Sequence, residues 1–430
     1  MSVAVMFLVM FFLLFVGVPI GVSIACAMFT LLALNPVTTV QFVAQNMFSG
    51  LNSFTLIALP FFILAGTIME GGGLSRRMIN AADSIVGNVT GSLGMVTVIA
   101  CMFFGAVSGS AIATVAAIGG IMLPEMAKAG YDKTYATALT TVAGCLGFIV
   151  PPSTPMVIYG ITNGASIGAM FMAGFLPAIV VGGSLMVVNY FYCKKHGYVS
   201  SGHEITARNI ARQFWDAKWA LLMPVIILGG IYTGVMTPTE SAVVACAYGI
   251  IIGKFVYREL TFKRIWEMFK ENTSFIGAMM FTFAPAGALS AIFAYLKVPA
   301  MISSFFLSIS TNKYVILALV FVLLLIVGML LETTPAILLI TPILLPVAKQ
   351  VGINPVHFGI FCILTLCIGL VTPPVAMGLF VAQSITGISM MKIAKRAIPF
   401  MIALAVSCMI IAVFPSISLL LPNLSGYILS

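Results

Sequence analysis

Gly147-Phe-Ile-Val-Pro-Pro-Ser-Thr-Pro155 and Gly369-Leu-Val-Thr-Pro-Pro-Val375 each set two consecutive prolines inside a long apolar stretch. Tandem prolines delete two amide donors and crowd the preceding turn, so a helix that runs into them must unwind. Residues 133–163 therefore read as one broken helix and residues 354–386 as another. Each is preceded by an apolar stretch, 91–127 and 313–348, that exceeds the roughly 20 residues needed to cross a hydrocarbon core. Small or polar residues interrupt both stretches midway, Ser108-Gly-Ser110 in the first and Glu332-Thr-Thr-Pro335 in the second. Each reads as a helical hairpin that enters and leaves on one side, a re-entrant element whose tip must be covered by protein.

The rest of the chain has the same character. Of its 430 residues 61% are hydrophobic and 7% charged, whereas a soluble domain carries about a quarter charged residues. That balance excludes a soluble enzyme or a nucleic-acid-binding domain. Further spans are expected at 3–34, 53–70, 167–192, 217–236, 238–256, 272–296 and 397–421, giving an all-α polytopic membrane protein. The stretch 3–34 lacks a basic n-region and outruns a signal peptide's apolar core, so it reads as a retained span. Leu74 to Ile85 and Leu260 to Phe269 are short and amphipathic, as expected of helices lying at the membrane interface, where they can join a fixed part to a moving one.

The net charge of +9 follows the positive-inside rule. Arg76 and Arg77; Lys128 and Lys133; Lys194 to Lys218; Lys254 to Lys270; and Lys392 to Arg396 form five basic groups, with Lys297, Lys313 and Lys349 apart. Alternating the spans, with both hairpins returning to their own side, puts the five groups on the cytoplasmic face of an inner membrane. The first hairpin then opens inward and the second outward. Such opposed halves predict an inverted repeat. Laying residue n on residue n + 222 without a gap matches Leu123, Pro124, Gly130, Gly147, Pro151, Pro152 and Pro177 with Leu345, Pro346, Gly352, Gly369, Pro373, Pro374 and Pro399. Residues 1–200 and 201–430 are thus expected to form two repeats of one domain.

Unwound backbone in mid-membrane exposes carbonyl oxygens, hard ligands suited to Na⁺, and half-helix N-termini that favour an anion. Ser108, Ser110, Thr114, Ser153 and Thr154 can supply hydroxyls beside the first break, and Thr333, Thr334 and Thr372 beside the second, so two pseudo-symmetric cation sites are expected. Glu332 is an acid inside an apolar hairpin without a neighbouring base, which marks it as functional, either as a cation ligand or as a proton acceptor. Glu125 and Glu240 lie nearer segment ends and read as interfacial. No Arg or Lys falls at the centre of a span, so an anion has to be held by helix dipoles, hydroxyls, amides and bound cations.

Other chemistry is excluded. Gly71-Gly-Gly73 and Gly182-Gly183 have no Lys-Ser/Thr after them, so there is no phosphate loop and the energy must come from a gradient. Eight scattered cysteines, and His196, His203 and His357, show no zinc or redox spacing, leaving Na⁺ as the expected metal and no other cofactor. The 32 Phe and 27 Met residues read as packing and lipid-facing surface. An intramembrane enzyme would need paired acids or a Ser/His or Ser/Lys couple inside the spans, and none is present.

Phe104-Gly-Ala-Val-Ser-Gly-Ser-Ala-Ile-Ala-Thr-Val-Ala-Ala-Ile-Gly119, followed by Gly147-Phe-Ile-Val-Pro-Pro-Ser153, resembles the large membrane subunit of tripartite ATP-independent periplasmic (TRAP) transporters, the DctM-like family. Leu331-Glu-Thr-Thr-Pro335 and Gly369-Leu-Val-Thr-Pro-Pro374 are similar to its second-half motifs, and the resemblance covers essentially the whole chain. It implies an elevator-type, Na⁺-coupled importer of an organic acid such as a C4-dicarboxylate or sialic acid. It further implies one Na⁺ site at Ser108, Gly109, Ser110, Pro151 and Ser153 and another at Glu332, Thr333, Thr334, Thr372 and Pro373, with substrate between them at Ser110, Thr114, Pro152, Thr154, Thr334 and Pro374. It also implies a small four-helix membrane subunit and a periplasmic substrate-binding protein as partners, beside the lipid bilayer and with no nucleic acid. A stand-alone Na⁺/anion symporter that needs no binding protein shares the same hairpin and broken-helix plan, and a channel can also carry re-entrant segments.

Overall fold

The computed structural model describes residues 2–34, 39–87, 89–198 and 206–427, and every regular element among them is helical. The first half runs α1 (Ser2–Phe15), α2 (Ile20–Leu34), α3 (Val40–Leu51), α4 (Ala58–Gly71), α5 (Leu74–Val86), α6 (Ser92–Ser108), α7 (Ala111–Lys128), α8 (Lys133–Gly144), the single turn α9 (Leu146–Ile149), α10 (Thr154–Asn163) and α11 (Ile167–His196). The second runs α12 (Ala207–Tyr232), α13 (Pro238–Ile251), α14 (Phe262–Tyr295), α15 (Val298–Ile309), α16 (Lys313–Leu330), α17 (Thr333–Gln350), α18 (Pro355–Leu370), α19 (Met377–Thr386), α20 (Met390–Val413) and α21 (Ser416–Leu424). Among the described residues nine helices are long and apolar enough to cross a membrane, or ten when the bent pair 133–149 and 154–163 is counted as one span. The chain is a multi-pass membrane protein. Phe15 and Phe262, 84% and 76% exposed, are at home on a surface that meets lipid.

The bounds of the helices repeat at the offset that aligns the prolines. Shifted by that offset, α7 lands on α17 end for end, and the start of α8 at Lys133 lands on the start of α18 at Pro355. The packing follows suit: α10 lies on α17 as α19 lies on α7, and α13 lies on α4 as α2 lies on α14. The broken helices form the centre of the molecule. All of α8 from Tyr135 to Gly144 and all of α18 from Val356 to Leu370 are buried.

Several elements differ from expectation. Residues 3–34 are two helices that pack on each other, broken at Gly17, whose φ of +89° a following Pro19 reinforces. Leu74 to Ile85 is the separate helix α5, but Leu260 to Phe269 is largely the first part of the continuous α14. The counterpart of α5 at the repeat offset is α15, Val-Pro-Ala-Met-Ile-Ser-Ser-Phe-Phe-Leu-Ser-Ile, which is too apolar to stand out by charge contrast. The helix α3 is likewise additional to the expected spans, and 397–421 is split at Phe414 and Pro415 between α20 and α21. The expected repeat boundary at residue 200 and His203 lie outside the described residues.

The basic groups converge. Arg77 pairs with Glu259 at 2.8 Å, which joins the first group to the fourth. Arg396 Nε lies 3.9 Å from Asp132, and the Asp132 amide donates to Tyr198 Oη at 3.1 Å, which joins the second, third and fifth. Glu125 pairs with Lys128 at 3.0 Å, and Glu240 closes a capping box with Thr237, so both acids sit at helix ends as expected. All eight cysteines are free thiols and seven are buried.

Candidate functional site

The helices α6 and α7 pack on each other and meet at Ser108-Gly109-Ser110. Gly109 ends α6 in the left-handed region, φ +59°, the turn that glycine adopts at least cost. Ser110 then caps α7, accepting from the Ala113 amide at 3.4 Å. Three oxygens gather behind this tip. Ser108 Oγ lies 3.2 Å from Thr114 Oγ1, and both hydroxyls reach the Ser110 carbonyl, at 3.4 and 2.7 Å.

The break in the first long helix supports the tip. The chain leaves α9 at Val150, passes the cis Pro151–Pro152 bond and restarts at Thr154, bent by 43°. The Thr154 amide donates to the Gly109 carbonyl at 3.1 Å, while Ser153 Oγ donates to the Phe148 carbonyl at 2.5 Å. Gly147 and Gly105 allow this approach: a Cβ on Gly105 would stand 2.8 Å from the Gly147 Cα.

The second half repeats the plan with different side chains. Here α16 ends at Leu330 and Glu332 is the N-cap of α17, without a side-chain capping bond. Ser110 and Glu332, the caps of α7 and α17, occupy equivalent positions in the two halves. The break after α18 contains the cis Pro373–Pro374 bond, and the Val375 amide donates to the Met329 carbonyl at 3.2 Å. Thr372 Oγ1 donates to the Ile368 carbonyl at 2.6 Å. Thr333 Oγ1 is buried without a hydrogen-bond partner, a cost of about 1–3 kcal/mol unless something supplies the missing interaction.

The two tips face one cavity of about 210 Å³, with Ser108, Ser110 and Thr154 on one side and Glu332 and Thr334 on the other. Among the described residues no Arg or Lys lines it. The first turns of α7, α10 and α17 border it, and their amides and dipoles favour negative charge. A second cavity of about 240 Å³ runs from Glu332 and Thr334 to Pro19 and Ile20. Phe275 and Met279 of α14 line both cavities.

Of the residues singled out in the sequence, Ser108, Ser110, Thr154, Glu332 and Thr334 meet at this cavity, and Gly109, Ser153 and Thr114 bond in the layer behind it. Thr372, Pro152 and Pro374 do not line it. The opposite wall, Ile63, Gly66 and Thr67 of α4 with Phe275 and Met279 of α14, was not foreseen. Its one polar signal is the Thr67 hydroxyl, which donates to Asn272 Oδ1 at 3.2 Å, and Asn272 is a buried amide within a span.

Comparison with known proteins identifies the family. Residues 7–417 match the profile of the family described as tripartite ATP-independent periplasmic transporter, DctM component. The chain is 39% identical to the sialic acid TRAP transporter large permease protein SiaM of Vibrio cholerae over 96% of each chain. It is 34% identical to the C4-dicarboxylate TRAP transporter large permease protein DctM of Rhodobacter capsulatus over 99% of this chain and 100% of that one. It is 41% identical to the isethionate TRAP transporter permease protein DctMQ of Oleidesulfovibrio alaskensis over 93% of its own length, spanning 63% of that protein. In fold it is similar to the crystal structure of the YdaH transporter of Alcanivorax borkumensis, with a TM-score of 0.64 at 12% identity over 87% of each chain. The chain belongs to the DctM component family of the tripartite ATP-independent periplasmic transporters, whose curated members here are permease subunits and not enzymes.

Proposed function

We propose that the chain is the large permease of a sodium-driven system that imports an organic acid across the bacterial inner membrane. The observation that carries this reading is the convergence of both tips on one cavity that holds hydroxyls, helix N-termini and a lone carboxylate but no basic side chain. An anion bound there needs cations brought from solution, and coupling to Na⁺ supplies them. Ser108, Gly109, Ser110, Pro151 and Ser153 hold one ion; Glu332, Thr333, Thr334, Thr372 and Pro373 hold the other. Substrate lies between, touching Ser110, Thr154 and Thr334.

The relatives' names cite sialic acid, a C4-dicarboxylate and isethionate, two carboxylate classes and a sulfonate, so the cargo is a small anionic organic acid. In this reading residues 1–200 and 201–430 are inverted repeats, and the helix pairs α6–α7 and α16–α17 are re-entrant hairpins. The hairpins and broken helices move as a block against the outer helices. A separate small membrane subunit and a periplasmic binding protein complete the system.

Thermal unfolding of the purified chain in Na⁺ and in K⁺ at equal ionic strength tests the ion sites. A ligand that binds only the folded state at a hundred times its Kd stabilises it by about 2.7 kcal/mol. Stabilisation specific to Na⁺ supports the reading; identical unfolding in both salts counts against it.

A further inference from the structure

We infer that the cavity between α5 and α12 binds a phosphate-bearing anion, and that the bilayer supplies it as the headgroup of an anionic phospholipid. This cavity, about 640 Å³, is separate from the site between the tips and is lined by Arg76, Arg77 and Asn80 of α5, by Gln213, Trp215, Asp216, Lys218 and Trp219 of α12, and by Tyr257 and Glu259. Its charges are unequally satisfied. The Arg77 guanidinium is fixed: it donates to Glu259 at 2.8 Å and to the Gly73 carbonyl at 2.7 Å, and it lies 3.7 Å over the Tyr257 ring. Arg76 and Lys218 line the same cavity and, among the described residues, neither forms an ion pair. The Lys218 ammonium instead rests 3.4 Å from the Trp215 ring centre and 5.3 Å from that of Trp219. Against these two cations stands the one carboxylate of Asp216. The remainder is a single positive charge, the complement of a phosphodiester.

The location favours lipid over a soluble anion. The polar start of α12, from Arg208 to Lys218, gives way at Trp219 to an apolar run that continues to Tyr232. The cavity thus sits at the water–hydrocarbon boundary, where indole rings concentrate. Trp215, Leu222 and Val225 follow at helical spacing and are 68%, 38% and 62% exposed, a strip along which an acyl chain can lie below a seated headgroup. Basic pockets between membrane helices are the usual sites for such headgroups. Once bound, the headgroup ties α12 to α5, the helix that leads into α6.

Native mass spectrometry of the delipidated full-length protein decides the matter, with dioleoylphosphatidylglycerol, dioleoylphosphatidylcholine and inorganic phosphate as probes. The expected result is retention of phosphatidylglycerol over phosphatidylcholine by roughly tenfold. The double variant Arg76→Gln with Lys218→Gln abolishes that preference, while Lys392→Gln with Lys395→Gln keeps it. Equal retention of the two lipids by the wild type overturns the proposal without any variant, as does an unchanged preference in the double variant. Displacement of the lipid by millimolar inorganic phosphate would assign the site to a soluble anion instead. Trp215→Ala, at an exposed position, is the second variant and is expected to weaken retention.

Discussion

The Cys145 thiol donates to the Cys367 carbonyl at 3.4 Å, and the Cys367 thiol points back at the Cys145 carbonyl at 4.0 Å. The two residues are 222 apart, so each makes with its counterpart the contact its counterpart makes with it. A two-fold operator produces this isologous geometry. Here it falls between the two broken helices, at the centre of the buried core, one or two turns before each tandem proline.

Close backbone crossings flank that contact. A Cβ on Gly369 would collide with the Gly328 backbone, where no side chain can move aside. Gly369→Ala is therefore expected to lower stability by about 1–3 kcal/mol, read as an earlier midpoint in thermal size-exclusion analysis. Gly120→Ala in α7, where an added Cβ meets nothing within 4 Å, is expected to be neutral or to stabilise by up to about 1 kcal/mol. Equal tolerance of both substitutions would contradict the described packing.

Thr333 supplies a test with opposite signs in two buffers. Its hydroxyl is buried without a partner, so Thr333→Val removes an orphan oxygen at nearly constant shape. Without sodium the variant should be as stable as the wild type or more stable by about 1 kcal/mol. With sodium it should gain less than the wild type. A full sodium response in the variant would remove Thr333 from the ion site.

The hydroxyl cluster behind the first tip predicts a separate phenotype. Thr114→Val breaks the contacts to Ser108 Oγ and the Ser110 carbonyl. The sodium concentration for half-maximal transport should rise by about tenfold, as expected for loss of roughly 1.4 kcal/mol of ion binding. Thr67→Ala on the facing wall should instead raise the substrate KM and leave the sodium dependence unchanged, because Thr67 lines the cavity without joining the cluster.

Glu332 lies on the boundary of both cavities and has no ion-pair partner among the described residues. Glu332→Gln keeps its size and removes its charge. A cation ligand predicts a raised sodium requirement in the variant at every pH. A proton carrier predicts loss of any pH dependence of transport with the sodium requirement intact. Steady-state uptake across a sodium titration at two pH values separates the roles, and wild-type behaviour on both axes would make Glu332 structural.

The parts of the fold that were legible are those where sequence departs from the apolar background. Tandem prolines located both breaks, because two successive residues without an amide donor crowd the preceding turn, and Ser108-Gly-Ser110 and Glu332-Thr-Thr-Pro335 located both tips, because small and polar residues in an apolar run mark where α7 and α17 begin. Elements without such a departure were missed. Nothing sets α15 apart from a lipid-facing span, and the polar start of α14 mimicked an interfacial helix although the same helix continues to Tyr295. The wall at Thr67, Phe275 and Met279 was invisible for a related reason. A lone hydroxyl or thioether in a membrane helix becomes a site residue only through what tertiary packing places opposite it.

The most direct test is uptake of radiolabelled sialic acid, succinate and isethionate into proteoliposomes that contain the chain and its small membrane subunit, with and without the cognate binding protein. The account predicts concentrative uptake of one of these acids that requires both an inward Na⁺ gradient and the binding protein. Uptake that persists without a sodium gradient, or that proceeds at full rate without the binding protein, would contradict it.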